Sequence, residues 1–154
     1  MAIYYNLGID CGAEREVAEG MMRHFEGFSI GLPDTPPVVV ELTCEQARGL
    51  WFVGVWPVGV SRGAPRGDRV ELLSDAPLQA IEEALWDRLA EIIGYRRAMF
   101  GAEIYDMFTF ANRDEDSDID YQGMVFAVDL FPPSNAVETT AFREGYARVT
   151  ELRR

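Results

Sequence analysis

Lysine is missing altogether: every one of the 14 basic residues is an arginine. No Schiff-base lysine and no Walker lysine can therefore exist in this chain. Histidine is nearly missing too, with His24 alone. A Ser-His-Asp or Cys-His system needs that one ring beside its nucleophile, and nothing in the sequence brings a serine or cysteine to it. Cysteine occurs only as Cys11 and Cys44, with no C-x-x-C. Two thiols cannot hold zinc without histidine help, so both are expected to be free and to pack as small buried hydrophobes. Long apolar runs are also absent: the longest, near 38–40 and 50–60, fall far short of the roughly 20 residues of a membrane span. The start, Met1-Ala2-Ile3-Tyr4-Tyr5-Asn6, has neither a basic opening nor an apolar segment before a cleavage site. The expectation is a cytoplasmic protein without a signal peptide.

Positive charge is the scarcity with the widest consequence. Against 14 arginines stand 26 Asp and Glu, a formal net charge of −12. Such a surface repels phosphates and acidic membranes and attracts basic partners. Nucleic-acid binding draws most of its affinity from phosphate contacts, so nucleic acid and membrane are both excluded as partners.

What is present suits one folded domain spanning 1–154. At 154 residues, with 48 % apolar and 12 % aromatic content, the chain can bury a continuous core. Residues 3–9 mix β-branched and aromatic types and read as an opening strand. Residues 13–25 read as a helix, with Val17, Met21, Phe25 and Phe28 recurring every three or four positions. Residues 31–37 form a proline-rich loop. A strand is expected over 38–43, then a short polar segment, then a long apolar strand over 50–60. Gly54 and Gly59 there imply a bulge or a close backbone approach, and Pro57 an edge or a break. The arginine-bearing turn 61–68 is followed by a hairpin partner at 69–73. The clearest helix opens at Asp75, with Pro77 in its first turn. Its apolar stripe is Leu78, Ile81, Leu85, Leu89, Ile92 and Ile93, with Glu82, Glu83, Asp87 and Glu91 on the wet side. Residues 103–110 and 123–131 read as strands, and 136–152 as either a short helix or a final strand near 146–149. The order predicts an α+β fold: a mainly antiparallel sheet of about five to six strands with two helices packed on one face.

Five carboxylates crowd into seven residues at Asp114, Glu115, Asp116, Asp118 and Asp120. Asp114, Asp116, Asp118 and Asp120 match alternate positions of a helix–loop–helix calcium loop. The match then fails, because Ile119 stands where the turn needs glycine and Val125 where the bidentate glutamate belongs. The stretch reads as a solvated loop or a docking surface for a basic partner. Asp106 and Asp129 interrupt apolar segments and are expected on a wet strand face. Arg62, Arg66 and Arg69 sit in a glycine-rich stretch that lacks the residues of a phosphate loop and reads as a turn with solvated arginines.

No catalytic residue, metal site or cofactor is indicated. The expectation is a non-catalytic acidic module that neutralises a basic partner, such as a toxin, as immunity proteins and antitoxins do. Asp114, Glu115, Asp116, Asp118 and Asp120 would steer the partner in, and Trp51 and Trp56 would anchor it if their strand lies at an edge. Two other readings stay open: a ligand-binding or enzymatic domain with an aromatic-lined pocket, and a structural subunit that forms homodimers through residues 50–60.

Overall fold

The computed structural model describes residues 3–62, 75–110, 122–131 and 137–153. Among these the chain folds as α+β: three helices and one antiparallel sheet. The strands are β1 (Ile3–Gly12), β2 (Ser29–Ile30), β3 (Val38–Ala47), β4 (Leu50–Pro57), β5 (Ser61–Arg62), β6 (Arg97–Ala102), β7 (Val125–Ala127), β8 (Val137–Arg143) and β9 (Tyr146–Leu152). Their order across the sheet is β2-β3-β4-β1-β6-β7-β9-β8, and the two-residue β5 pairs with the start of β1. The expected class holds, with more strands than expected. No helix among the described residues is long and apolar enough to cross a membrane.

The central strand sorts its side chains by parity, as a pleat must. Leu7, Ile9 and Cys11 face the helices α1 (Arg15–Phe25) and α2 (Asp75–Leu89), in a core with Met21, Phe25, Ile81, Leu85, Leu89 and Tyr95. The two helices are joined at their ends. Arg88 donates to the His24 carbonyl at 2.7 and 3.1 Å, and His24 Nε2 donates to the Arg88 carbonyl at 2.6 Å. His24 is thus a structural tie. The expected stripe of α2 is buried at Ile81, Leu85 and Leu89, but the helix stops at Leu89 and Ile93 lies beyond it, 61 % exposed.

Asn6, Gly8 and Asp10 face the other way, toward α3 (Ile104–Phe110). This helix corrects the expectation of a strand over 103–110 and of helices on one face only. Ile-Tyr-Asp-Met-Phe-Thr-Phe has strand-like composition, yet Ile104, Tyr105, Phe108 and Thr109 share one helical face, and all four are buried. The sheet holds both ends of the helix. Asn6 Oδ1 accepts from the Tyr105 N–H at 2.8 Å, and Arg48 donates to the Phe108 and Thr109 carbonyls at 2.7 and 2.9 Å. Those are the orphan groups of a helix start and end, with the cation at the negative end of the dipole.

Gly8 and Gly54 are direct cross-strand partners and make the bare floor on which α3 rests. A Cβ on Gly8 would lie 2.8 Å from Ile104 Cγ2 and 3.1 Å from Phe108 Cδ2. Of the two expectations for Gly54, the close approach is therefore the one that applies. The bulge is instead in β1, between Asp10 and Gly12. The polar segment after residue 43 is a continuation of β3, which runs on to Ala47 and turns through Arg48 and Gly49, φ +52° and +76°. Two left-handed residues make the tight hairpin turn that suits twisted strands. Of residues 136–152, left open between helix and strand, those from Val137 on form the β8–β9 hairpin, and 123–131 is strand only over β7. The expected hairpin partner at 69–73 lies outside the described residues.

Candidate functional site

On the α3 face, β3 presents Glu41, Thr43 and Glu45 at every second position, and its neighbour β4 presents Phe52, Gly54 and Trp56. Trp56 Nε1 donates to Thr43 Oγ1 at 2.8 Å, so its ring is laid across β3. Tyr105 of α3 meets Trp56 edge-to-face, with centroids 5.7 Å apart, and its hydroxyl is hydrogen-bonded to Thr43. Gly54 makes room for the trio: a Cβ there would lie 2.5 Å from Thr43 Oγ1, 2.5 Å from Trp56 Nε1 and 2.8 Å from Tyr105 Cδ2. Beside them opens a groove of about 270 Å³, lined by Tyr4, Tyr5, Glu41, Thr43, Trp56 and the turn Pro57–Gly59.

Among the residues whose side chains are described, the charge around this groove is acidic. Glu103 is fixed to Tyr4, accepting its N–H at 2.9 Å through Oε1 and donating its own N–H to the Tyr4 carbonyl at 2.9 Å. The Asp106 carboxyl is hydrogen-bonded to that of Glu103 and faces Glu45. Desolvation first, then the hydrogen bond and charge of Glu103, then Glu45, raise its pKa above the ordinary carboxylate value. Burial and the charges of Glu45 and Asp106 likewise push the Tyr105 hydroxyl up to about 12, against the opposing bond from Thr43. Among the residues whose side chains are described, no arginine lines the groove, and none pairs with Glu41, Glu45, Glu103 or Asp106. The guanidinium of Arg48, at the β3–β4 turn, is spent on the end of α3 and lies over Phe52.

An acid with a raised native pKa binds more protons folded than unfolded, so the stability it contributes is full below its unfolded pKa near 3.8 and is lost as pH rises through the native value. Asp106→Asn keeps a donor for Glu103 and removes the titration. The variant is expected to be more stable than wild type at neutral pH, and to lose less stability between pH 4 and 7, in urea unfolding across that window. Equal slopes for the two proteins would mean that the carboxyls do not share a proton.

Of the anchors expected from sequence, Trp56 is at the groove and Trp51 is not. The two lie on opposite faces of β4, which is an interior strand between β3 and β1, so the edge condition placed on them fails. Trp51 lies with α1, under the guanidinium of Arg15 at 5.6 Å. Asp114, Glu115, Asp116, Asp118 and Asp120 lie outside the described residues; in sequence they follow α3 directly. Asp106 is on a helix, not a strand. Cys44 is exposed, against the expectation that both thiols are buried, while Cys11 is buried and its thiol pKa is raised, chiefly by that burial. Among the described residues no group of His, Cys, Asp and Glu could hold a metal ion.

Tyr105, Glu45, Glu103 and Tyr4 were not singled out from sequence. The Glu41-Thr43-Glu45 alternation was readable, given a strand that runs on to residue 47. No protein-family model, curated protein or solved structure matches this chain.

Proposed function

We propose that this chain is an acidic binding module that neutralises a basic partner by covering its active surface, in the manner of immunity proteins and antitoxins. The supporting observation is the placement of the exposed Glu41 and Glu45, with Glu103 and Asp106 beside them, around the half-exposed Trp56, and among the residues whose side chains are described no arginine pairs with them. Acids of an enzyme would turn inward, whereas Glu41 and Glu45 are exposed on β3. Among the described residues the one fully buried acid, Asp10, instead faces Arg97 and Arg96 at 3.2 and 3.7 Å. Carboxylates at a rim speed encounter with a basic protein, and a Trp at the centre of a contact slows its release.

The test is capture from native cell lysate, followed by kinetics with the captured protein. Glu41→Gln with Glu45→Gln is expected to slow association by about tenfold at low salt and to flatten its salt dependence. Trp56→Ala is expected to act on the off-rate instead, by a factor of about 30, the equivalent of a 2 kcal/mol hot spot. Asp116→Asn, Asp118→Asn and Asp120→Asn together report whether the acidic stretch adds to the steering. Capture that is indifferent to all of these variants rules this reading out.

A further inference from the structure

The partner's mode of attachment follows from the edge of β3. Beyond Val39, where β2 ends its pairing, β3 is bonded on one side only among the described residues. Two facts set which backbone groups point outward. The tight turn closes on the pair Ala47 and Leu50, and Val58 N–H donates to the Val39 carbonyl at 2.9 Å, so the odd-numbered residues of β3 bond toward β4. The N–H and C=O groups of Leu42, Cys44 and Gln46 therefore face away from the sheet. An open edge is a template for another strand.

The same edge is selective. A strand laid against it would place alternate side chains on the α3 face, opposite Glu41, Thr43 and Glu45. The residue opposite Thr43 would have Glu41 and Glu45 as its diagonal neighbours, and ahead of it the Trp56 ring, already drawn across β3 by its bond to Thr43. Carboxylates on two sides and an aromatic ring in front make a seat for a cation. A second copy of this chain would bring Glu41 and Glu45 against their own kind, so the charges that admit a basic strand also oppose edge-to-edge self-pairing.

We infer that an extended, arginine-bearing segment of the basic partner adds to β3 as a new edge strand, with a guanidinium seated between Glu41 and Glu45 against Trp56. This rests on the reading of the chain as a module for a basic partner and specifies how the contact is made.

The probe is a short acetylated and amidated peptide of alternating threonine and arginine, titrated into the full chain at about 0.15 M salt. Two controls accompany it. One carries citrulline for arginine, which removes the charge; the other carries N-methyl groups on alternate backbone amides, which removes the strand bonds and keeps the charge. The arginine peptide is expected to bind and to slow amide hydrogen exchange at Leu42, Cys44 and Gln46. Both controls are expected to bind at least about tenfold more weakly, as is the arginine peptide to Glu41→Gln with Glu45→Gln. No binding, equal binding of the N-methylated peptide, or unchanged exchange at those amides each overturns strand addition. Should the peptide fail while a captured partner still depends on Glu41, Glu45 and Trp56, strand addition falls and the acidic-module reading stands. Should that partner also be indifferent, both fall.

Discussion

Asp10→Ala is expected to cost about 3–5 kcal/mol, the penalty for removing one partner of a buried ion pair. Asp10 is fully buried on β1. Its Oδ1 accepts the Gly12 N–H at 3.0 Å across the bulge, and its Oδ2 accepts from Arg97 Nε at 3.2 Å. Arg97 is itself buried, with its guanidinium stacked on Phe108 and Phe131 at 5.6 Å each. Arg96 stands 3.7 Å from the same carboxylate and over Phe131 at 5.3 Å. Asp10 therefore faces two guanidiniums in a low-dielectric setting. Against a total stability of about 5–15 kcal/mol for a protein of ordinary size, the loss is a large share. Urea unfolding measures it, through a lower midpoint with an unchanged slope. Asp10→Asn is expected to cost less, because the amide oxygen still accepts from Gly12 while the charge is lost. The double variant Asp10→Leu with Arg97→Met should recover part of the loss, since an apolar pair of similar volume has no charge to strand. An Asp10→Ala protein within 1 kcal/mol of wild type would mean that the Arg97 charge is compensated without Asp10.

Those two arginines mark where the sequence stops being readable. The α1 and α2 helices were legible because their apolar residues recur at helical spacing over three or more turns, a signal that local chemistry writes on its own. Strand β3 was cut short by its polarity: Cys44, Glu45 and Gln46 look like loop, yet an edge strand half in water can be polar and still pair. Helix α3 was misread for the opposite reason. Five of its seven residues are strand formers, and what makes the segment helical is non-local: Asn6 at one end, Arg48 at the other, and the bare Gly8–Gly54 floor between, separated from α3 by some 50 to 100 residues of chain. Tertiary contacts of that kind override propensity in short helices. The candidate site shares the difficulty. Glu41 and Glu45 come from β3, Trp56 from β4, and Glu103 and Asp106 from the start of α3, and no spacing rule in the chain brings the three segments together. The dense acidic stretch at 114–120 drew the reading because it is contiguous. The acids that the described fold assembles around Trp56 are scattered in sequence and converge only in space.

Gly54→Ala then tests the site and the fold with one methyl group. The added Cβ has nowhere to go, being held within 2.8 Å of Thr43, Trp56 and Tyr105 at once. The backbone beneath cannot yield, because Gly54 is paired on both sides, with Gly8 and with Thr43. The side chains must move instead. Trp56 loses its bond to Thr43, Tyr105 lifts, and α3 rises off the sheet with it. Overpacking of this kind costs about 1–3 kcal/mol, and the freed Trp56 is expected to emit further to the red, against a Trp56→Phe background that identifies its share. Gly8→Ala is the matched control. Its clashes are with Ile104 and Phe108, and none of the atoms nearest the added Cβ belongs to Thr43, Trp56 or Tyr105. It is expected to lower stability to a similar degree while leaving the Trp56–Thr43 bond in place. The two variants separate stability from binding: a partner held through Trp56 should be lost from Gly54→Ala and kept by Gly8→Ala at temperatures where both are folded. Equal retention by both would remove Trp56 from the contact. Unchanged stability and emission in Gly54→Ala would contradict the close packing of α3 on the glycine floor.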